Sequence, residues 1–547
     1  MRASVPVLIA PFLALCTSPA LPDPVHEHPA GDPELLGAVE FQTSCVPEVQ
    51  EPFARATAML HSFWYEAARD AYQAVATGDP QCAIAWWGVA MSYWQPLWEP
   101  QGPNPDALRD GLEAVRAARA VGGGSPVERD FIAAIATFYE NAGTVGHRDR
   151  VLAYEKAMEA VHAAHPEQTE ARVFYALSLL GSAASLPPDK SYRRQRKAGE
   201  LLMPVFESRP EHPGAAHYII HAYDYPALAQ RGLEAARRYA AIAPDSPHAQ
   251  HMPSHIFTRL GLWDDSIRSN RKVIQVARKY GDVGEELHGT DYLVFAYLQK
   301  GEDDNALAVI EDMPKAPVTG VKQFSGTYAQ AAIPARYAVE RRQWKEAARL
   351  PEPTGFPGGR YAWANAAIHF ARALGAARSG DPEQAAVDVE ALGACIETLE
   401  RHDETYWATQ VEIQRRAAAA WLALAEGRED EALESMRSAA ELEGTTDKHP
   451  VTPGQIVPAR ELLAQMLLEL GRPEEALTEF EAVLKAEPNR FGPLSGAARA
   501  AELAGRPDTA RARFTQLVAV APDSRRQEVR EARDYLSRSV ASKTGVN

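Results

Sequence analysis

The chain has 547 residues, 46% of them hydrophobic, and a formal net charge of −16. That hydrophobic fraction excludes wholesale disorder, and an acidic chain without a dense Lys/Arg block excludes nucleic acid as the expected partner. Ala, Leu, Glu and Arg outweigh Val and Ile, which predicts helices rather than sheets.

The N-terminus, MRASVPVLIAPFLALCTSPALPDP, reads as a signal peptide over residues 1–20. Arg2 is the basic start, Val5 to Leu15 the apolar run, and Ser18-Pro19-Ala20 the small-residue cleavage site. Cys16 also suggests a lipoprotein signal, but Leu15 before it fits poorly, so cleavage after Ala20 is expected. The mature protein is then periplasmic or secreted. No later stretch reaches the roughly 20 apolar residues of a membrane span. Residues 21–48 begin rich in Pro, Asp and His and are expected to be a disordered leader, with His26 and His28 as loose metal captors. Export permits a disulfide. Cys45 and Cys82 are the expected pair, the alternative being two buried thiols, and Cys395 falls in a helical core pattern.

Beyond residue 49 the chain repeats. Ala68, Tyr72 and Pro80 recur in type and spacing as Ala476, Phe480 and Pro488, and again 34 residues on as Ala510, Phe514 and Pro522. Gly471 and Gly505 each stand five residues before the Ala. The same five-residue step joins Gly261 to Ser266, Gly301 to Ala306, Gly380 to Ala385 and Gly427 to Ala432. The Gly permits a tight turn between two helices. The small residue lets those helices approach, the aromatic fills the space between repeats, and the Pro ends the second helix.

This pattern resembles the tetratricopeptide repeat. The stretches LHSFWYEAA, CAIAWWGVAMSYW, HYIIHAYDYP, HAQHMPSHIF and HPVTPGQIVPARELL further resemble a group of exported bacterial tetratricopeptide proteins. The resemblance implies an all-α fold, a right-handed superhelical solenoid. An N-terminal array over 49–310 and a C-terminal array over 376–540 flank an irregular or helical segment, 311–375, where VTGVKQFSGTYAQ and PEPTGFPGGRYAW break the pattern.

His217 and His221 form one H-x3-H pair, and His251 and His255 form another 34 residues on, one repeat later. In a tetratricopeptide array the first helix of each repeat lines a concave groove. Resemblance to that fold places His248, His251, His255, Thr258 and Arg259 on the groove face before Gly261. One repeat earlier the set is Gly214, His217, His221, Asp224 and Tyr225, and one later it is His288, Asp291, Phe295, Leu298 and Gln299. Members of an H-x3-H pair lie about 6 Å apart along one helix face. Neighbouring helices pack at about 8–10 Å, so imidazoles from two helices can meet on one ion at about 2.0–2.1 Å.

The expectation is one transition ion on His217, His221, His251 and His255. His248, His288, Asp224 and Asp291 are extra ligands or orient the ligating rings. Histidine with carboxylate suits Zn, Cu or Fe better than Mg or Ca. Asp224 is the first choice for a base, should the ion keep an open position. The alternative is a metal-free scaffold holding a peptide or partner protein in the groove, with the histidines as acid sensors. Pro253, inside HMPSHIF, either starts the helix late or kinks it to aim His251 and His255. His61 is expected in local packing beside Trp64, and Trp86, Trp87, Trp94 and Trp98 as core. No HExxH, CxxCH, Walker loop, dinucleotide fingerprint or Ser nucleophile elbow occurs, which makes the common proteases, kinases and dehydrogenases poor readings.

Overall fold

A computed structural model describes residues 35–319, 322–353 and 355–544. The signal peptide, His26, His28 and the first part of the leader lie outside the described residues. Among the described residues the regular structure is helical, and no helix is long and apolar enough to cross a membrane.

Each helix packs on its sequence neighbour, and first helices also stack on one another. Val283–Gln299 lies against Gln323–Glu340, and the stack continues through Ala362–Ser379, Thr405–Ala425, Ala459–Glu469 and Phe491–Leu503. That is a solenoid of helix–turn–helix repeats. The repeating marks act as their chemistry requires. A Cβ on Gly88 would stand 2.4 Å from the Tyr72 ring, and one on Gly496 would stand 2.2 Å from the Phe480 ring. Each buried aromatic thus packs on the bare backbone of the residue sixteen positions later.

The C-terminal repeats lie back against the turns of the N-terminal array. Gly261 has φ 64°, and a Cβ there would meet the Pro488 carbonyl oxygen at 2.1 Å, so both conformation and space require glycine. Trp263 Nε1 donates to the Asn489 carbonyl at 2.8 Å, and the Phe491 amide donates to Gln299 Oε1 at 3.0 Å. Arg490 is fully buried among Glu340, Glu461 and Glu487, tying the helix Gln323–Glu340 to the C-terminal array.

One sequence expectation needs correction here. Residues 35–48 are not a loose leader. Leu36 and Phe41 are buried, Phe41 packs on Phe53, Trp87 and Phe131, and the Ala38 amide donates to the Glu211 carbonyl at 2.9 Å. Two large apolar side chains outweigh the polar composition around them. Within the segment expected to be irregular or helical, the stretch QFSGTYAQ begins the helix Gln323–Glu340, which runs through Pro334.

Cys45 and Cys82 are disulfide-bonded, and Cys395 is a buried free thiol. The bond spans 37 residues. Cys45→Ser/Cys82→Ser is therefore expected to cost about 3–4 kcal/mol in the chain-entropy account. Hydrogen exchange across Tyr65–Gly78 reads the effect, and unchanged protection in the variant would count against it.

Candidate metal centre

Three successive segments bring the six histidines together. The helix Pro213–Tyr223 carries His217 and His221. The segment bearing His248, His251 and His255 is divided at Met252 into Pro247–His251 and Pro253–Arg259. Pro253 has no amide to donate, and the break falls there. His288 lies on Val283–Gln299. Two triads result, His217–His221–His248 and His251–His255–His288, in each of which one ring nitrogen per residue lies within 4.8 Å of the others. The triads adjoin, with the His221 and His255 rings 5.9 Å apart and the His248 and His251 rings 6.1 Å apart.

The hydrogen bonds fix where the protons are. His255 Nδ1–H donates to Asp224 Oδ2 at 3.0 Å, since a carboxylate only accepts. Asn270 Nδ2 donates to the Ser266 carbonyl at 2.8 Å, so Asn270 Oδ1 faces His251 and accepts its Nδ1–H at 2.9 Å. The Nε2 atoms of His251 and His255 therefore both carry lone pairs, and they stand 3.0 Å apart. His217 Nδ1–H donates to the His61 carbonyl at 2.6 Å, leaving its Nε2 an acceptor 3.1 Å from His221 Nε2. His248 Nδ1–H donates to Glu285 Oε1 at 3.0 Å. The Nε2 atoms of His248 and His288 are buried and have no hydrogen-bond partner among the described residues.

Five of the rings are pushed toward their neutral forms. Burial first, then neighbouring imidazoles, holds His217 and His251 well below the ordinary imidazole value. Burial does the same to His288 against the pull of Glu285, and it lowers His255 to about 4 against the pull of Asp224. His221 alone of the six keeps some exposure.

Asp224 is a poor base. Burial favours its neutral form, but Lys448 at 2.7 Å and Arg259 at 2.8 Å, with His255 beside them, hold its carboxyl well below the usual range. Asp224 instead orients His255. Asp291 does not turn to the histidines. Its carboxylate binds the buried Arg336 guanidinium, a partner 45 residues on that the repeat spacing does not show.

Sequence reasoning missed several residues around the cluster. Glu285, one turn before His288, holds His248 and is itself held by Lys322 Nζ at 2.9 Å. Trp98, expected as core, packs on His248 and His288 at 5.2 and 5.6 Å between ring centroids. Phe63 sits at φ 54°, uncommon for an aromatic residue, and so stacks on His221 and His248. The HPVTPGQIVP stretch becomes a buried strap across the groove. Lys448 reaches Asp224, the Thr452 carbonyl accepts from Tyr292, and the Gly454 carbonyl accepts from Tyr328 and Arg336.

His61 has a role beyond packing. Its Nε2–H donates to Glu170 at 2.7 Å and its Nδ1 accepts from Tyr218 at 3.0 Å. His212 Nδ1 accepts the Ala215 amide, so its Nε2–H donates to Glu170 at 2.9 Å. Glu170 thus meets two donors, and no ring nitrogen there is left over. The network is a brace for the carbonyl that holds His217.

Fold and cluster together define a helical-repeat solenoid enclosing a histidine centre. Residues 454–533 match the tetratricopeptide repeat family, and that part of the chain is a tetratricopeptide array. No curated protein matches the chain. Among solved structures it is similar to the Cut9–Hcn1 hetero-tetramer of APC/C, at 12% identity over 90% of this chain and 76% of that one, TM-score 0.36. It is also similar to the P58(IPK) TPR domain, at 14% identity over 69% of this chain and 99% of that one, TM-score 0.23. At such scores no property of those proteins carries over.

Proposed function

We propose that the protein is an exported tetratricopeptide solenoid that binds a transition metal through the histidines of its groove. The observation that supports this most is the His251–His255 pair. Two Nε2 lone pairs face each other at 3.0 Å with both Nδ1 protons committed elsewhere. Nothing in the hydrogen-bond network compensates that repulsion, whereas a cation between them does. Nitrogens on a tetrahedral ion at 2.0–2.1 Å lie about 3.3 Å apart, close to the spacing seen. The donors nearest the ion are imidazoles, which favours Zn, Cu or Fe over Mg or Ca. A metal-dependent activity further requires an open coordination position.

The test is metal analysis of untagged mature protein after dialysis. At least one transition ion per chain is expected, with affinity falling in acid as the imidazoles protonate. Protein refolded with Zn, Cu and Fe in turn that retains none would overturn the metal. The groove would then be read as a surface for peptides or partner proteins, the common use of tetratricopeptide folds. Export is tested on the native protein by mass spectrometry, where the first twenty residues should be missing. A chain that keeps Met1 would refute it.

A further inference from the structure

We infer that the cluster is a two-ion centre, one ion on His217, His221 and His248 and a second on His251, His255 and His288. The inference rests on the metal reading above and goes beyond it in stoichiometry and bridging chemistry. The six rings do not converge on a point. They separate into two sets, each within binding reach of its own ion. Each set contains one close Nε2 pair, at 3.1 Å and 3.0 Å, and one buried Nε2 without a partner, on His248 and on His288. A single ion between the H-x3-H pairs leaves those two nitrogens orphaned, at the cost of burying an unsatisfied polar atom twice. Two ions satisfy both.

The rings of the two sets approach to 5.9–6.4 Å across the boundary, at His221–His255, His248–His251 and His248–His288. The two sets therefore adjoin, and in two-metal sites, with ions about 3.5–4 Å apart, one small ligand bridges both. Charge decides the class of that ligand. Neutral imidazoles bring no negative charge. The nearest carboxylates are already matched, Asp224 by Lys448 and Arg259 and Glu285 by Lys322. Two divalent ions in this enclosure therefore require an anionic oxygen bridge such as hydroxide, or else give way to two monovalent copper ions, which leave half the excess charge. Copper is the metal that fits both cases, and three imidazoles are a donor set it accepts.

The experiment loads the untagged full-length mature protein with copper and counts ions per chain. Wild type should hold two, and His288→Gln and His221→Gln should each hold one. In the Cu(II) form, wild type should show far less paramagnetic resonance signal than its copper content, because bridged ions couple, whereas each single variant should show the full signal of one isolated ion. One ion in wild type, lost equally on substitution in either triad, would overturn the two-ion centre and leave the proposed function standing. No ion in wild type would overturn both. If a variant misfolds by circular dichroism, the wild-type count and signal decide alone.

Discussion

His251→Ala/His255→Ala is expected to lose the ion that these two rings hold while keeping its helical content. Both rings point Nε2 at the same place and have their Nδ1–H anchored by Asn270 and Asp224. Removing a partner that merely orients a ligating histidine weakens metal binding about 10–100-fold. Removing two ligands at once should exceed that, taking the ion of the His251–His255–His288 triad below measurable occupancy at micromolar metal. The helices should persist, because the stability of a repeat array is summed over neighbouring-repeat interfaces, and only the two interfaces flanking this segment lose side chains here. Metal content and far-ultraviolet circular dichroism on the same sample check both halves. A variant that keeps wild-type metal would move the site away from these rings.

Asp224→Ala should have the largest effect on stability. Its carboxylate meets His255, Arg259 and Lys448 at 3.0, 2.8 and 2.7 Å, with all four side chains largely buried. Without it two buried cations face each other with no anion, a loss of about 3–5 kcal/mol. The strap loses its Lys448 anchor and His255 its orientation, so metal affinity should fall about tenfold or more as well. The pH dependence has a definite sign. The folded-state value of Asp224 is depressed, so its stabilisation is present above the ordinary carboxylate value, near 4, and is lost as pH falls below it. The gap between wild type and Asp224→Asn should thus be full at pH 7 and narrow at pH 3. Denaturant midpoints at the two pH values measure it, and equal midpoints at pH 7 would show that the ion cluster contributes nothing.

The places where expectation and structure part company follow a pattern. The turn glycines, the aromatic at Tyr72, Phe480 and Phe514, and the convergence of histidines from three successive segments were legible, because each depends on contacts within a repeat or between adjacent ones. The pairing of Asp291 with Arg336 was not, since it needs the helix Gln323–Glu340 in a stretch where the repeat pattern breaks and gives no register. Trp98 is core as its aromatic stripe implied, but a stripe does not say that the ring also packs on His248 and His288. The order of residues 35–48 depended on where Phe41 finds its aromatic neighbours, which its own polar surroundings hide.

By itself, then, the sequence determined the helical repeat and the shared face on which the histidines meet, since a fixed repeat length carries a side chain from one helix to the same place on the next. Only the tertiary structure decided that six histidines divide into two triads, which nitrogen of each ring is free, and that a strap 224 residues beyond Asp224 closes over them through Lys448. Ring orientation is set by partners such as Asn270 and Glu285 on other helices. The strap's position is set by small rotations summed over many repeats, and no local pattern of residues records that sum.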